Sequence, residues 1–136
     1  MKTVVVTAAL ITEKGRILVA QRKEGDDWGL YWEFPGGKLE DDEGPQVCIK
    51  RELREELGIG VEIGPIQQAV FKHYEGFNIL LLAYGGRIEE GTPRAIGCQE
   101  VRWVGTGELK TLPMPPADDE IRESLLQESL WDFDAA

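Results

Sequence analysis

The segment Gly44–Gly58 carries its own start and stop. Gly44-Pro45 opens it, and proline suits the first turn of a helix, where its missing N–H would find no partner anyway. Gly58 closes it, because glycine takes the left-handed conformation that ends helices at little cost. At about 100° per residue, Ile49, Leu53 and Leu57 fall on one arc and form a stripe to bury. Lys50, Arg51 and Arg54 fall on a second arc. Glu52, Glu55 and Glu56 fall on a third. The spacing i, i+3, i+4 gives these three carboxylates one face, with about 5–6 Å between neighbouring β-carbons.

The rest of the chain supplies strands to cover that stripe. Thr3–Ile11 reads as a strand, Glu13-Lys14-Gly15 as a turn and Arg16–Gln21 as the return strand. Trp32–Phe34 is extended, because the residue before Pro35 is pushed out of the helical region. Val61–Ile63, Ala69–Tyr74, Ile79–Tyr84 and Val101–Val104 read as further strands, and Gly85–Gly97 as a polar loop. Pro113–Pro116 blocks regular structure, and Asp118 starts a last helix through about Leu130. Strands on both sides of the first helix, with a second helix at the end, predict an α/β fold, a mixed sheet covered by helices. With 136 residues a single domain over 1–136 is expected.

Composition removes several function classes. The net charge is −10, so a basic groove for a nucleic-acid polymer is not expected, nor is docking on an anionic membrane. An anionic ligand would need a cation as mediator. Cys48 and Cys98 match no zinc spacing and read as small buried thiols in a reducing cytoplasm. His73 is the only histidine, which excludes HExxH and any histidine pair on zinc, and it reads as structural. Ser124 and Ser129 lie in a helical stretch and not in a GxSxG turn. The apolar run Val4–Ile11 is too short to span a bilayer.

Three carboxylates on one helical flank suit a hard cation such as Mg²⁺, which takes oxygen ligands at about 2.0–2.1 Å. Repulsion alone does not decide whether they do so. Like charges at about 6 Å cost roughly 3 kcal/mol at an effective dielectric of 20, but only a few tenths on an exposed helix. The surrounding pattern decides it. Gly37, five residues, Glu43, seven residues and then Arg51-Glu52-Leu53-Arg54-Glu55-Glu56-Leu57-Gly58-Ile59 match GX5EX7REUXEEXGU, with U aliphatic, at every specified position. Chance would produce this in such a chain with a probability of roughly 10⁻⁷ or less.

The chain thus resembles the Nudix hydrolases, with the Nudix box at 37–59. Trp32-Glu33-Phe34-Pro35-Gly36-Gly37-Lys38 is similar to the MutT and CTP pyrophosphohydrolase branch, and the likeness extends to Pro115-Pro116-Ala117-Asp118. The resemblance implies an α/β/α sandwich that hydrolyses nucleoside diphosphates linked to another group. It implies Mg²⁺, or Mn²⁺, held by Glu52, Glu55, Glu56 and the carbonyl of Gly36. Glu43 and Arg51 would hold the catalytic geometry. Glu52 is the first candidate for general base and Glu55 the second, because the base varies among members.

The same resemblance makes Arg22 a phosphate contact, for which its forked guanidinium is suited; the alternative is a solvated charge at a strand end. Phe34 is either a wall of the base pocket or ordinary core. Asp118 aligns with the residue that reads the base, and equally suits an N-cap of the last helix. As an ionised acceptor it would take the N4 amino group of cytosine or the N–H edge of a guanine. One departure stands out. Many relatives carry a glutamate six residues before the late-strand tryptophan, and here that position is Gly97. Glu100 and Glu90 are the nearest substitutes. Without either turned inward, one metal position is weakened.

The expected activity is Mg²⁺-dependent conversion of a nucleoside triphosphate (8-oxo-dGTP-type or CTP-type) to a monophosphate and pyrophosphate. The alternatives are a different nucleoside-diphosphate-linked or non-nucleotide diphosphate, or a nucleotide-sensing domain without catalysis. A cytoplasmic monomer or homodimer with a small-molecule partner is expected.

Overall fold

The structure is a computed structural model and describes residues 1–128. β1 (Thr3–Glu13), β2 (Arg16–Gln21), β3 (Trp32–Glu33), β4 (Gly60–Tyr74), β5 (Phe77–Glu90) and β6 (Glu100–Val104) form one mixed sheet. Its order is β3-β2-β1-β5-β4, with β6 also on β2. Among the described residues only β1 and β5 run parallel, from Thr3 opposite Asn78 to Ile11 opposite Gly86. The helices are α1 (Pro45–Leu57), α2 (Thr106–Leu109) and α3 (Pro116–Glu128).

Successive side chains of a strand point to opposite faces, and both faces here are covered. Ala9 and Ile11 of β1 join Leu18 under Ile49, Leu53 and Leu57 of α1. Ala8 and Leu10 face the other way, in a core with Val19, Phe34 and Ile121 of α3. Helices on both faces of the sheet make the expected α/β/α sandwich. Burying a Leu or Ile side chain is worth about 1.5–3 kcal/mol, so the stripe fixes which face of α1 turns outward.

β1 meets β2 only at its far end, through Thr12 opposite Ile17 and Glu13 opposite Arg16. In the gap nearer its start, the loop after β3 takes the free edge. Thr7 N–H donates to Gly37 O at 2.8 Å and Ala9 N–H to Pro35 O at 2.7 Å, while Leu39 N–H donates to Val5 O at 3.2 Å. This fit needs glycine. A Cβ on Gly36 would collide with the carbonyl of Thr7, and one on Gly37 with the carboxyl of Glu52.

α1 has the predicted bounds. Gly44 is its N-cap, Pro45 its first residue, and Gly58 closes it at φ 71°, with cap N–H groups bonded back to Arg54 O and Leu53 O. Elsewhere the boundaries differ. Val61–Ile63 and Ala69–Tyr74 are parts of one strand, β4, interrupted by register shifts at Ile63/Ile66 and Ile66/Gln68. Pro65 sits within this irregularity, and β4 is an edge strand, where a missing N–H is tolerated. The expected loop from Gly85 is strand as far as Glu90. Gly85 and Gly86 are there for close approach, since a Cβ on them would strike Gln67 or Glu62 O. α2 was not expected from sequence, and α3 begins at Pro116, two residues before Asp118. The predicted end of that helix, Ser129 and Leu130, lies outside the described residues.

Candidate active site

Burial of the Leu53 stripe turns the acidic arc of α1 toward the Pro35-Gly36-Gly37 loop. Arg51 organises this edge. It donates from Nε to Glu43 Oε2 at 2.7 Å and from Nη2 to Glu43 Oε1 at 3.0 Å. Its Nη1 donates to Glu52 Oε1 at 2.7 Å and to Glu55 Oε2 at 3.3 Å. Nη2 also reaches Lys38 O at 3.3 Å. One guanidinium thus ties the loop, the approach to α1 and the acidic face together. The hydrogen bonds from Arg51 hold the Glu43 carboxyl down at about 2.

Glu52 and Glu56 lie against one another. Burial, and then the charge and hydrogen bond of Glu52, push the Glu56 carboxyl up to about 8. Two acids so placed cannot both ionise cheaply. A divalent cation between them is the group that permits it, and oxygen donors of this kind suit a hard cation. The site therefore fits the implied metal. Glu55 is turned to Arg51 and its side chain is 60% exposed. Among the described residues no three acidic, histidine or cysteine side chains already surround one point.

Beside the two glutamates stands an ion pair that the sequence did not single out. Arg22 Nη1 donates to Glu33 Oε1 at 2.9 Å, and Arg22 Nε to Asp27 O at 2.6 Å. β3 pairs Glu33 with Ala20, which places it on the α1 face of the sheet. Burial pushes the Glu33 carboxyl up, and Arg22 pulls it partly back. Glu33 also feels the charge of Glu52. Its one sequence signal is parity, as a charged residue at a strand position facing the helix layer.

Asp118 occupies the far end of this line. It lies in the first turn of α3, so the N-cap alternative is excluded. Its side chain accepts the Phe34 N–H at 3.1 Å. Burial, and then the charge of Glu33, push its carboxyl up to about 8. Phe34 itself is 3% exposed and packs in the α3-side core, and its backbone N–H is the group that bonds Asp118. Arg22 and Glu33 perturb each other, and both perturb Asp118.

Neither substitute for the carboxylate missing at Gly97 turns inward. Glu100 accepts from Arg102 at 2.7 Å, and Glu90 from Arg54 at 3.0 Å. Gly97 itself lies on Glu56, whose Cγ would be 3.1 Å from a Cβ there. Its N–H donates to Glu56 O at 2.9 Å. Cys98 is half-buried beside them, and burial together with Glu56 pushes its thiol up to about 11. Cys48 is fully buried under Thr7 and Lys38 O. His73 pairs with Asn78 across the β4–β5 hairpin, in keeping with a structural role. Two open cavities, about 380 and 490 Å³, lie along Glu89–Glu90; the larger reaches Arg51, and neither is lined by Glu52 or Glu56.

Residues 6–124 match the family described as NUDIX domain, and the chain belongs to that family. It is 37% identical to the CTP pyrophosphohydrolase of Escherichia coli (strain K12), over 93% of this chain and 93% of that protein. It is 34% identical to the 8-oxo-dGTP diphosphatase of Haemophilus influenzae, over 94% of this chain and 95% of that protein. The solution structure of the E. coli ORF135 protein matches with a TM-score of 0.81 and 36% identity, covering 95% of this chain and 92% of that one. Nudix hydrolases generally need a divalent metal ion.

Proposed function

We propose that this protein is a Mg²⁺-dependent nucleoside triphosphate pyrophosphohydrolase, with Mn²⁺ as the alternative ion. It is an enzyme of the Nudix hydrolase type. The observation that carries the site assignment is the Glu52–Glu56 pair, two mutually repelling acids beside the Gly36-Gly37 loop. Glu52, Glu56, Glu55 after rotation, and Gly36 O would hold the ion. When bound, it offsets the repulsion between an acidic protein and a polyphosphate and polarises the phosphoryl oxygen.

The chain's own residues do the rest. Arg51 holds Glu52 by Oε1 and so orients the carboxylate that is the first candidate to accept a proton from the attacking water. Glu55, hydrogen-bonded to the same guanidinium, is the second candidate for that role. Glu43 keeps Arg51 in place through two bonds. Arg22 spends Nε and Nη1 on Asp27 O and Glu33. Its Nη2 makes no hydrogen bond among the described residues and is the donor offered to a phosphate oxygen. Asp118 reads the base, through its free oxygen and with or without its proton.

The relatives' printed activities, on CTP and on 8-oxo-dGTP, bracket the proposed substrate class. Its partner is a small nucleotide and not a nucleic-acid polymer, in the cytoplasm. No helix among the described residues is long and apolar enough to cross a membrane. The test is a turnover screen of ordinary and oxidised nucleoside triphosphates with Mg²⁺, reading both pyrophosphate and phosphate. Pyrophosphate with a monophosphate is the expected outcome. Phosphate as the sole inorganic product contradicts the proposal.

A further inference from the structure

Tyr74 ends β4 next to the start of α3. Its ring is stacked on Phe77 at 5.4 Å, with the planes 14° apart. Trp28 meets it edge-on at 6.5 Å. Trp28 comes from the loop between β2 and β3 and is held at φ 57°, in a region that costs a bulky residue energy. Aromatic neighbours in these two arrangements attract each other beyond simple burial, so the phenol is held from two sides.

The oxygen of that phenol accepts the Ala117 N–H at 3.2 Å. Ala117 is the second residue of α3 and precedes Asp118. N–H groups in a first helical turn have no partner inside the helix, so this bond comes from outside and fixes where the turn stands. A second outside bond, from Phe34 N–H, reaches the Asp118 carboxyl at 3.1 Å. The carboxyl is thus placed by β4 on one side and by the segment after β3 on the other. Phenol and carboxyl are near enough to sense each other: burial first, and the Asp118 charge further on, raise the ionisation point of Tyr74.

We propose that Tyr74 is a positioning residue for base recognition, its hydroxyl holding the first turn of α3 so that Asp118 meets the base edge. This rests on the reading of Asp118 given above. A smaller or displaced partner at position 74 would leave the turn in place as helix but move its carboxyl relative to the base.

The test is a double-mutant cycle. kcat/KM is measured for CTP, for 8-oxo-dGTP and for ribose 5-triphosphate, which has no base, in wild type, Tyr74→Phe, Asp118→Asn and the double variant. Tyr74→Phe keeps the ring against Phe77 and removes only the hydroxyl. It should lower the better nucleotide relative to ribose 5-triphosphate by about 3–10-fold and add nothing once Asp118→Asn is present. An equal fall on all three substrates marks a general structural loss and overturns the proposal. A nucleotide preference that follows Asp118→Asn but ignores Tyr74→Phe overturns it while leaving the Asp118 reading intact. No change in either variant sinks both. Amide exchange in the wild-type protein gives a readout that needs no variant. The Ala117 N–H should be protected, and free exchange there removes the bond on which the proposal stands.

Discussion

Arg51 grips Glu43 with two parallel hydrogen bonds, 2.7 Å from Nε and 3.0 Å from Nη2. Glu43 precedes α1 and Arg51 lies inside it, so the pair fastens the entry loop to the helix. Folding moves the Glu43 carboxyl from an ordinary 4.5 down to about 2. A carboxyl whose pKa falls on folding stabilises the protein above its unfolded value, and that contribution fades as pH drops through the folded value. Glu43→Gln should therefore be less stable than wild type at neutral pH, with the gap closing between about pH 4.5 and pH 2. Urea titrations across that range measure it, and a gap that persists at the acid end contradicts the pairing.

Glu56→Gln should abolish turnover, by at least about 10²-fold, since even residues behind a metal ligand cost 10–100-fold when lost. The protein should stay folded, because a neutral amide relieves the crowding with Glu52. Mg²⁺ should raise the melting temperature of wild type by mass action and leave that of the variant nearly unchanged. Chelation should silence the wild-type enzyme and added Mg²⁺ restore it. Full activity in Glu56→Gln would remove the acidic face of α1 from the mechanism.

The two loop glycines should fail differently. A methyl on Gly37 strikes the Glu52 carboxyl, whereas one on Gly36 strikes the Thr7 carbonyl of β1. A side chain can swing and a strand backbone cannot. Gly37→Ala should lose activity with little loss of stability. Gly36→Ala should lose about 1–3 kcal/mol of stability. Thermal melts beside turnover assays separate the two, and a reversed order would place the clashes wrongly.

Asp118 offers a test with the opposite pH sign. Burial raises its carboxyl from 3.8 to about 8, so between those values the folded chain holds a proton that the unfolded chain has released. Stability then falls as pH rises through that window. Asp118→Asn imitates the protonated form and removes the slope. The variant should gain on wild type from about pH 4 to about pH 8 and keep a constant lead above. Parallel curves for the two proteins would mean that the carboxyl is not buried.

What could be seen in the sequence was what is local. Pro45, Gly58 and the Ile49–Leu53–Leu57 stripe set α1 because each acts within a few residues. Glu52 and Glu56 come together because they are one helical turn apart. The Arg22–Glu33 pair depends on β2 and β3 aligning Ala20 with Glu33, and no local period reports that. Asp118 is buried by a strand and a loop more than eighty positions away. Gly85 and Gly86 resemble a turn until β4 is seen crossing them. Phe34 looked equally suited to ligand or core, and its ring chose the core.

Pro35–Leu39 is sewn into the sheet by the amides of Thr7, Ala9 and Leu39 itself. The loop is thereby an extra rib of the sheet and not a flap upon it. Heat should not silence this enzyme in advance of melting it: the loss of turnover and the collapse of the central strands should trace one curve.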